Sequence, residues 1–207
     1  MSPEAHQHLR RQDPVMRRLI QEVGPCKIRP LSRSPFEALV RAIAHQQLNG
    51  KAADTITRRF LDLFPGQKFP TPEAVVGIDS ALIRGAGFSQ SKVLAILDIA
   101  TKAQSGIVPS RRVLSRLQDQ EIIDRLVECR GVGQWTVEMF LIFTLGRPDV
   151  LPVEDFGVRN GFRLAYGHEE MPKPAALREF GERWKPYRTT ATWYLWRAVD
   201  LAKSQKA

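Results

Sequence analysis

The sequence predicts an all-α fold, and three observations carry that reading. Apolar residues recur at the three-and-four spacing of amphipathic helices along most of the chain. Proline and glycine sit at the ends of those segments, where helices start and stop. No stretch sustains the period-two alternation that strands need.

The elements follow in order. Met1 to Gln12 is polar and basic and lacks the apolar run of a secretion signal. Ser34-Pro35-Phe36-Glu37 reads as a capping box with proline at the first helical position. Phe36, Leu39, Val40 and Ile43 then fall on one helical face. Asn49-Gly50 breaks that helix, and Lys51 to Phe64 forms the next. Thr71-Pro72-Glu73 opens a short helix. Gly85, Gly87 and Ser89 read as a loop, with Ser89 capping a helix to about Gln104. Ser110 starts another short helix, and Asp119 to Glu128 a further one, closed by Gly131. Gln134 to Leu145 is ended by Gly146-Arg147-Pro148. Asp155 to Tyr166, Pro174 to Trp184 and Tyr187 to Lys203 complete the set.

Composition narrows the function. Lysine and arginine number 31 against 22 aspartate and glutamate, a net charge of +9 that suits a polyanionic partner or a generally basic surface. Arginine pairs at 10–11, 17–18, 58–59 and 111–112 do not by themselves locate a binding face. No run approaches the ~18 apolar residues of a membrane span, so no membrane partner is expected and the cytoplasm is the expected location. Two cysteines, Cys26 and Cys129, cannot build a four-cysteine zinc or iron–sulfur site. No disulfide is expected without an export signal. The four histidines show no metal spacing; His6 and His8 are expected to be solvated, and none is assigned to catalysis.

The informative stretch runs from Leu126 to Glu138, Leu-Val-Glu-Cys-Arg-Gly-Val-Gly-Gln-Trp-Thr-Val-Glu. Gly131-Val132-Gly133 joins two amphipathic helices through a very short hairpin. Both glycines are expected to permit positive φ and close approach of another backbone. The helix beginning at Gln134 presents unpaired N–H groups and a positive dipole end, where a phosphate fits without any reading of sequence. A Gly-x-Gly between helices also serves in tight packing turns, so the pair alone leaves both readings open. Asp155 lies 22 residues beyond Gly133, in Leu-Pro-Val-Glu-Asp-Phe-Gly-Val-Arg. Its position suits an N-cap, with Glu154 as the adjacent carboxylate.

Together these strings resemble the helix-hairpin-helix DNA glycosylase superfamily, whose mark is a Gly/Pro-rich hairpin followed at this interval by a catalytic aspartate. The resemblance assigns that role to Asp155, the second of the two carboxylates. Relatives that cleave the strand through a Schiff base carry lysine two places after the second glycine; this chain has Trp135. With Glu182-Arg-Trp-Lys-Pro-Tyr-Arg188 and Ala191-Thr-Trp-Tyr-Leu-Trp-Arg197, the chain looks like the 3-methyladenine DNA glycosylase II branch over about residues 35–203.

That resemblance implies two helical lobes with a DNA-binding cleft between them. Residues 35–147 would form one, and residues 1–34 with 148–207 the other. It implies a monofunctional enzyme that hydrolyses the N-glycosidic bond of alkylated bases (3-methyladenine and 7-methylguanine type) in duplex DNA, acting as a monomer in base excision repair. Trp135, Met139, Phe156 and Trp196 would line the base pocket. Met139 stands where an aromatic is common. Trp193, three residues before Trp196, reads as core. Gly131, Gly133 and Thr136 would hold the DNA backbone, and either Gln47 or Leu48 would fill the gap left by the flipped base. No cofactor is implied beyond a structural Na+ or K+ on the backbone carbonyls of Val127, Cys129 and Val132. The rival classes are a non-catalytic helix-hairpin-helix DNA-binding module and a bifunctional glycosylase for oxidised pyrimidines; Asp155 argues against the first and Trp135 against the second.

Overall fold

The computed structural model describes residues 3–204, which form thirteen α-helices with one π-helical and one 3-10 turn and, among the described residues, no strand. The chain divides into two compact units. Ser32–Phe140 is one; the segments up to Leu31 and from Leu141 onward assemble the other. The sequence reading places these divisions a few residues later, at 34/35 and 147/148.

The terminal unit opens with α1 (Pro3–Gln12) and α2 (Pro14–Val23). Neither is among the helices read from the sequence, although Asp13-Pro14 is a helix start of the same kind as Ser34-Pro35. Asp13 is 1% exposed and saturated. Its Oδ1 accepts the Val15 and Met16 amides at 2.9 and 3.2 Å. Its Oδ2 accepts Tyr166 Oη–H at 2.5 Å and Trp184 Nε1–H at 3.0 Å. A buried carboxylate is tolerable only with such a full set of donors. One residue thus caps α2 and binds it to two aromatics far along the chain. The histidines of α1 are packed, not solvated. His6 Nε2 accepts the Cys26 amide at 3.0 Å, and the His8 ring lies 5.4 Å from Tyr187.

The inserted unit begins with α3 (Pro35–His45) and α4 (Gly50–Asp62). Ser34 accepts the Glu37 amide at 3.1 Å, but only half of the predicted capping box forms, because the Glu37 carboxylate takes Arg41 Nε at 2.8 Å. Next come α5 (Pro72–Gly77) and α6 (Ser80–Gly85). The latter lies in a stretch to which the sequence reading assigns no element and meets the expected loop only at Gly85; it is six residues long and buries only Ile83, too little for any periodic signal. Phe60 packs edge-on against Phe64 and Phe88 near the centre of this unit. The long α7 (Gln90–Gln104), capped by Ser89, buries Val93, Ala95, Ile96, Ile99 and Ala100. After α8 (Arg111–Leu114) come α9 (Asp119–Leu126) and α10 (Gln134–Phe140), which flank the glycine hairpin. The predicted helix to Leu145 is α-helical only to Phe140 and widens to a π turn over Leu141–Leu145, the point where the chain re-enters the terminal unit.

There α11 (Phe156–Tyr166), α12 (Pro174–Phe180), a 3-10 turn (Gly181–Trp184) and α13 (Arg188–Ser204) complete the fold. Helices α11 and α13 touch backbone to backbone. A Cβ at Gly161 would stand 2.0 Å from the Leu195 carbonyl oxygen. The start of α13 is anchored by Arg188, whose Nε and Nη2 reach the two Asp149 oxygens at 2.8 and 2.9 Å. No described helix is long and apolar enough to cross a membrane.

Candidate active site

Asp155 is the N-cap of α11, half-buried at the positive end of that helix. Its Oδ1 accepts the Val158 amide at 2.7 Å, and the same oxygen accepts Trp196 Nε1–H at 3.0 Å. Both sequence readings of Asp155 are therefore compatible: it caps the helix, and the cap is what aims the carboxylate. The indole that holds it is stacked on Phe143, with ring centroids 5.8 Å apart and planes 16° apart. Gly157 makes the arrangement sterically feasible, since a Cβ there would meet Asp155 Oδ1 and Trp196 Cδ1, each at 3.1 Å. Trp196 is thus half-buried beside the carboxylate, whereas Trp193, read as core, is buried. Glu154, the neighbouring carboxylate, is exposed. Phe156 begins α11 with 67% of its surface open.

In the inserted unit the two hairpin glycines differ. Gly131 has φ +76°, and a Cβ on it would press on Ile43 Cδ1 and Ala95 Cβ at 3.3 and 3.4 Å. Gly133 has no positive φ, and a Cβ on it would meet nothing within 4 Å. The expectation that both need glycine for the turn holds only for Gly131. At Gly133 the chain's own packing makes no such demand, and the absent side chain leaves an open surface at the start of α10. Asp98 in α7 braces the turn: its Oδ2 accepts the Arg130 amide at 2.7 Å and Lys102 Nζ–H at 2.9 Å. Lys102 also donates to the Glu128 carbonyl.

Trp135, Thr136 and Met139 line a pocket of about 470 Å³ with Ala42, His45, Gln46 and Gln47. The structure therefore places two of the predicted base-pocket residues beside one of the two candidate wedge residues. Trp135 is 47% exposed, while Thr136 is 6% exposed and reaches the surface little. The loop that carries the two candidate wedge residues has a strained centre, because Gln47 holds φ +55° without being glycine. Leu48 beside it is 39% exposed. Lys92 Nζ donates to the carbonyls of Ala44 and Gln46 at 2.9 and 2.7 Å, and Gln46 Nε2 donates to the Gly131 carbonyl at 3.0 Å. Partial burial lowers the pKa of Lys92 below the ordinary lysine value. Sequence reasoning missed Gln46, Lys92 and Asp98. Their partners lie 32 to 85 positions away, and no local pattern marks such pairs.

The carbonyls of Val127, Cys129 and Val132 belong to the turn. That of Cys129 accepts the Val132 amide at 3.0 Å, which leaves its second lone pair. Hard oxygen donors of this kind suit an alkali cation. No group of three or more histidine, cysteine or acidic side chains among the described residues could hold a metal.

The glycine hairpin between α9 and α10 and the N-capping aspartate of α11 fit the class of DNA-repair proteins that the sequence resembles. Residues 40–186 match the model of the HhH-GPD superfamily of base excision DNA repair proteins, and the chain belongs to that family. It is 39% identical over 207 residues to DNA-3-methyladenine glycosylase 1 of Schizosaccharomyces pombe, covering 98% of this chain and 90% of that protein. Among solved structures it resembles the S. pombe 3-methyladenine DNA glycosylase Mag1 in complex with abasic DNA (TM-score 0.83, 38% identity, 94% of this chain and 95% of that one). It also resembles a DNA-3-methyladenine glycosidase of Bacillus halodurans (TM-score 0.88, 34% identity, 98% and 92%).

Proposed function

We propose that this chain is a monofunctional DNA glycosylase that releases alkylated bases of the 3-methyladenine and 7-methylguanine type from duplex DNA, in base excision repair. The observation that carries the reading is the Asp155 carboxylate, oriented by an amide and an indole N–H in a chain of this family. In the reaction the target nucleotide leaves the stack, because its glycosidic bond is hidden inside the duplex. The C1′–N bond breaks and its electron pair goes to the base nitrogen. A base made cationic by alkylation departs neutral and needs no acid. Positive charge develops on the sugar, where Asp155 stabilises it; water then adds to C1′ and gives its proton to the carboxylate.

The open indole of Trp135, with Met139, offers an electron-rich face to an electron-poor base, worth ~1–2 kcal/mol when desolvated. Phe156 and Trp196 are the proposed pocket residues of the terminal unit. The proposed wedge is Gln47 or Leu48. Gly133 and the first amides of α10, including that of Thr136, would receive a phosphate, and the chain would act as a monomer. A Na+ or K+ ion on the carbonyls of Val127, Cys129 and Val132 would add positive charge beside that phosphate and take no part in bond cleavage.

Two observations favour hydrolysis over strand cleavage. Trp135 occupies the position of the Schiff-base lysine, and the nearby Lys92 and Lys102 commit their ammonium groups to backbone carbonyls. The test is base release from methylated duplex DNA, identifying the freed bases by chromatography, with borohydride added during turnover. Free 3-methyladenine or 7-methylguanine and an intact abasic strand are expected. Failure to release any alkylated base would refute the reading, and a trapped protein–DNA adduct would refute the monofunctional part.

A further inference from the structure

We propose that Gln46 is a positioning residue that ties the base-displacing loop to the phosphate-binding hairpin, so that seating the DNA backbone and inserting the wedge occur in a fixed register. The inference rests on the glycosylase reading above and concerns a residue to which that reading gives no role.

Gln46 is the C-cap of α3: the backbone N–H still bonds Ala42 and Ile43, while ψ has swung to 131°. The next residue, Gln47, must then adopt φ +55°. For a residue with a Cβ this left-handed geometry is unfavourable and persists only when its surroundings enforce it. Two contacts on Gln46 enforce it. The Lys92 ammonium clamps the Ala44 and Gln46 carbonyls, which satisfies the open end of α3 and fixes the path into the loop. The Gln46 side chain spans to the Gly131 carbonyl at 3.0 Å, and only its NH2 end can face that oxygen. Beyond the wedge, Asn49 caps α4 by accepting the Ala52 amide at 2.9 Å. Gln47 and Leu48 therefore project between two pinned residues, and one of the pins is the hairpin's own left-handed glycine. Gly131 also packs on Ile43 of α3, so hairpin and loop share one junction. A hairpin that shifts on a phosphate carries the wedge loop with it.

The experiment separates backbone binding from base displacement. The Gln46→Leu and Gln46→Glu variants, checked by circular dichroism and melting, are compared with the parent on three readouts. These are affinity for undamaged duplex, fluorescence of 2-aminopurine placed beside an alkylated target, and single-turnover base release. Gln46→Leu is expected to keep undamaged-duplex affinity within about twofold, with the fluorescence change and excision reduced about tenfold. Gln46→Glu is expected to be worse near neutral pH, where a carboxylate faces the Gly131 carbonyl. It should recover relative to the parent as pH falls and the protonated side chain regains a donor; Gln46→Leu should show no such recovery. Parental flipping and excision in folded Gln46→Leu would overturn the proposal. So would an equal loss of undamaged-duplex affinity, or an acid response shared by both variants. If the parent itself released no alkylated base, the glycosylase reading would fail, and the fluorescence change would still report on the strut.

Discussion

At the scale of single residues, two aspartates solve opposite problems with the same local chemistry. Asp13 and Asp155 both cap helices, and both accept an indole N–H. Asp13 is sealed, whereas Asp155 is half-buried. Removing Asp13 strands Tyr166 Oη and Trp184 Nε1 in the core and uncaps α2. Asp13→Ala is therefore expected to cost about 3–6 kcal/mol, read as a fall of roughly 10 °C or more in melting temperature. A melting temperature within a degree or two of the parent would contradict that role. Asp155→Asn keeps an oxygen for the Val158 amide and for the Trp196 indole. It is expected to fold and bind duplex DNA normally while losing at least about 100-fold in single-turnover base release. Near-parental excision would move attention to Glu154. The N-cap position of Asp155 was legible in the sequence, and the family resemblance, by its interval from the hairpin, singled it out as the candidate carboxylate. Asp13 was not singled out, because its meaning lies in partners 153 and 171 positions away.

At the scale of elements, the hairpin and the α11–α13 pair carry separable tests. Gly131→Ala places a Cβ at φ +76° against Ile43 and Ala95, and is expected to destabilise the protein by about 1–2 kcal/mol in urea unfolding. Gly133→Ala meets nothing and should melt like the parent. The same change should weaken binding to damaged and undamaged duplexes alike, because a phosphate contact reads no sequence. Binding that is unchanged in both affinity and salt dependence would make Gly133 a packing residue. Helix starts marked by Ser or Thr before proline or a periodic run were legible, and Ser34, Thr71 and Ser89 cap as read; Asn49, read only as a break, caps α4, and Asp13-Pro14 carries the same signal unread. What was illegible was width and brevity. Nothing local in Leu141–Leu145 distinguishes a π turn from the α-helix before it, and α6 is shorter than two turns.

At the scale of the whole molecule, buried acids set how the fold meets alkali. Burial raises the Cys26 thiol and pushes Cys129 up to about 11. The Tyr166 phenol is raised by burial and then by its bond to Asp13, and the Tyr194 phenol by burial. In the unfolded chain these groups release protons near 9 to 10. Over that range the folded state binds more protons than the unfolded state, so stability falls as pH rises. The contribution is fully present below about pH 8 and is lost as pH climbs past 9. Lys92, shifted the other way by burial, opposes the trend with a single partly buried group. Melting temperature is expected to hold from pH 7 to 8 and decline steadily to pH 10.5, less steeply in Cys129→Ala; a flat profile would show that these groups ionise freely in the fold. The net charge of +9 was plain in the sequence and pointed to a polyanion, but the burial behind this titration was not.

The interrupted course of the chain has a consequence for biosynthesis. Residues 32–140 form a unit from contiguous sequence, and once they clear the ribosome they hold every contact described for the hairpin and the Gln47–Leu48 loop. The helices at the start of the chain must wait. Asp13 meets Tyr166 and Trp184 only after both have emerged, and Tyr194 donates to the Gly24 carbonyl later still. Asp155 is held by Trp196, 41 residues downstream. A nascent or truncated chain that stops short of α13 therefore already carries the hairpin but lacks the indole that aims the carboxylate. The order of translation completes the glycine turn before the helix-capping carboxylate has its indole partner.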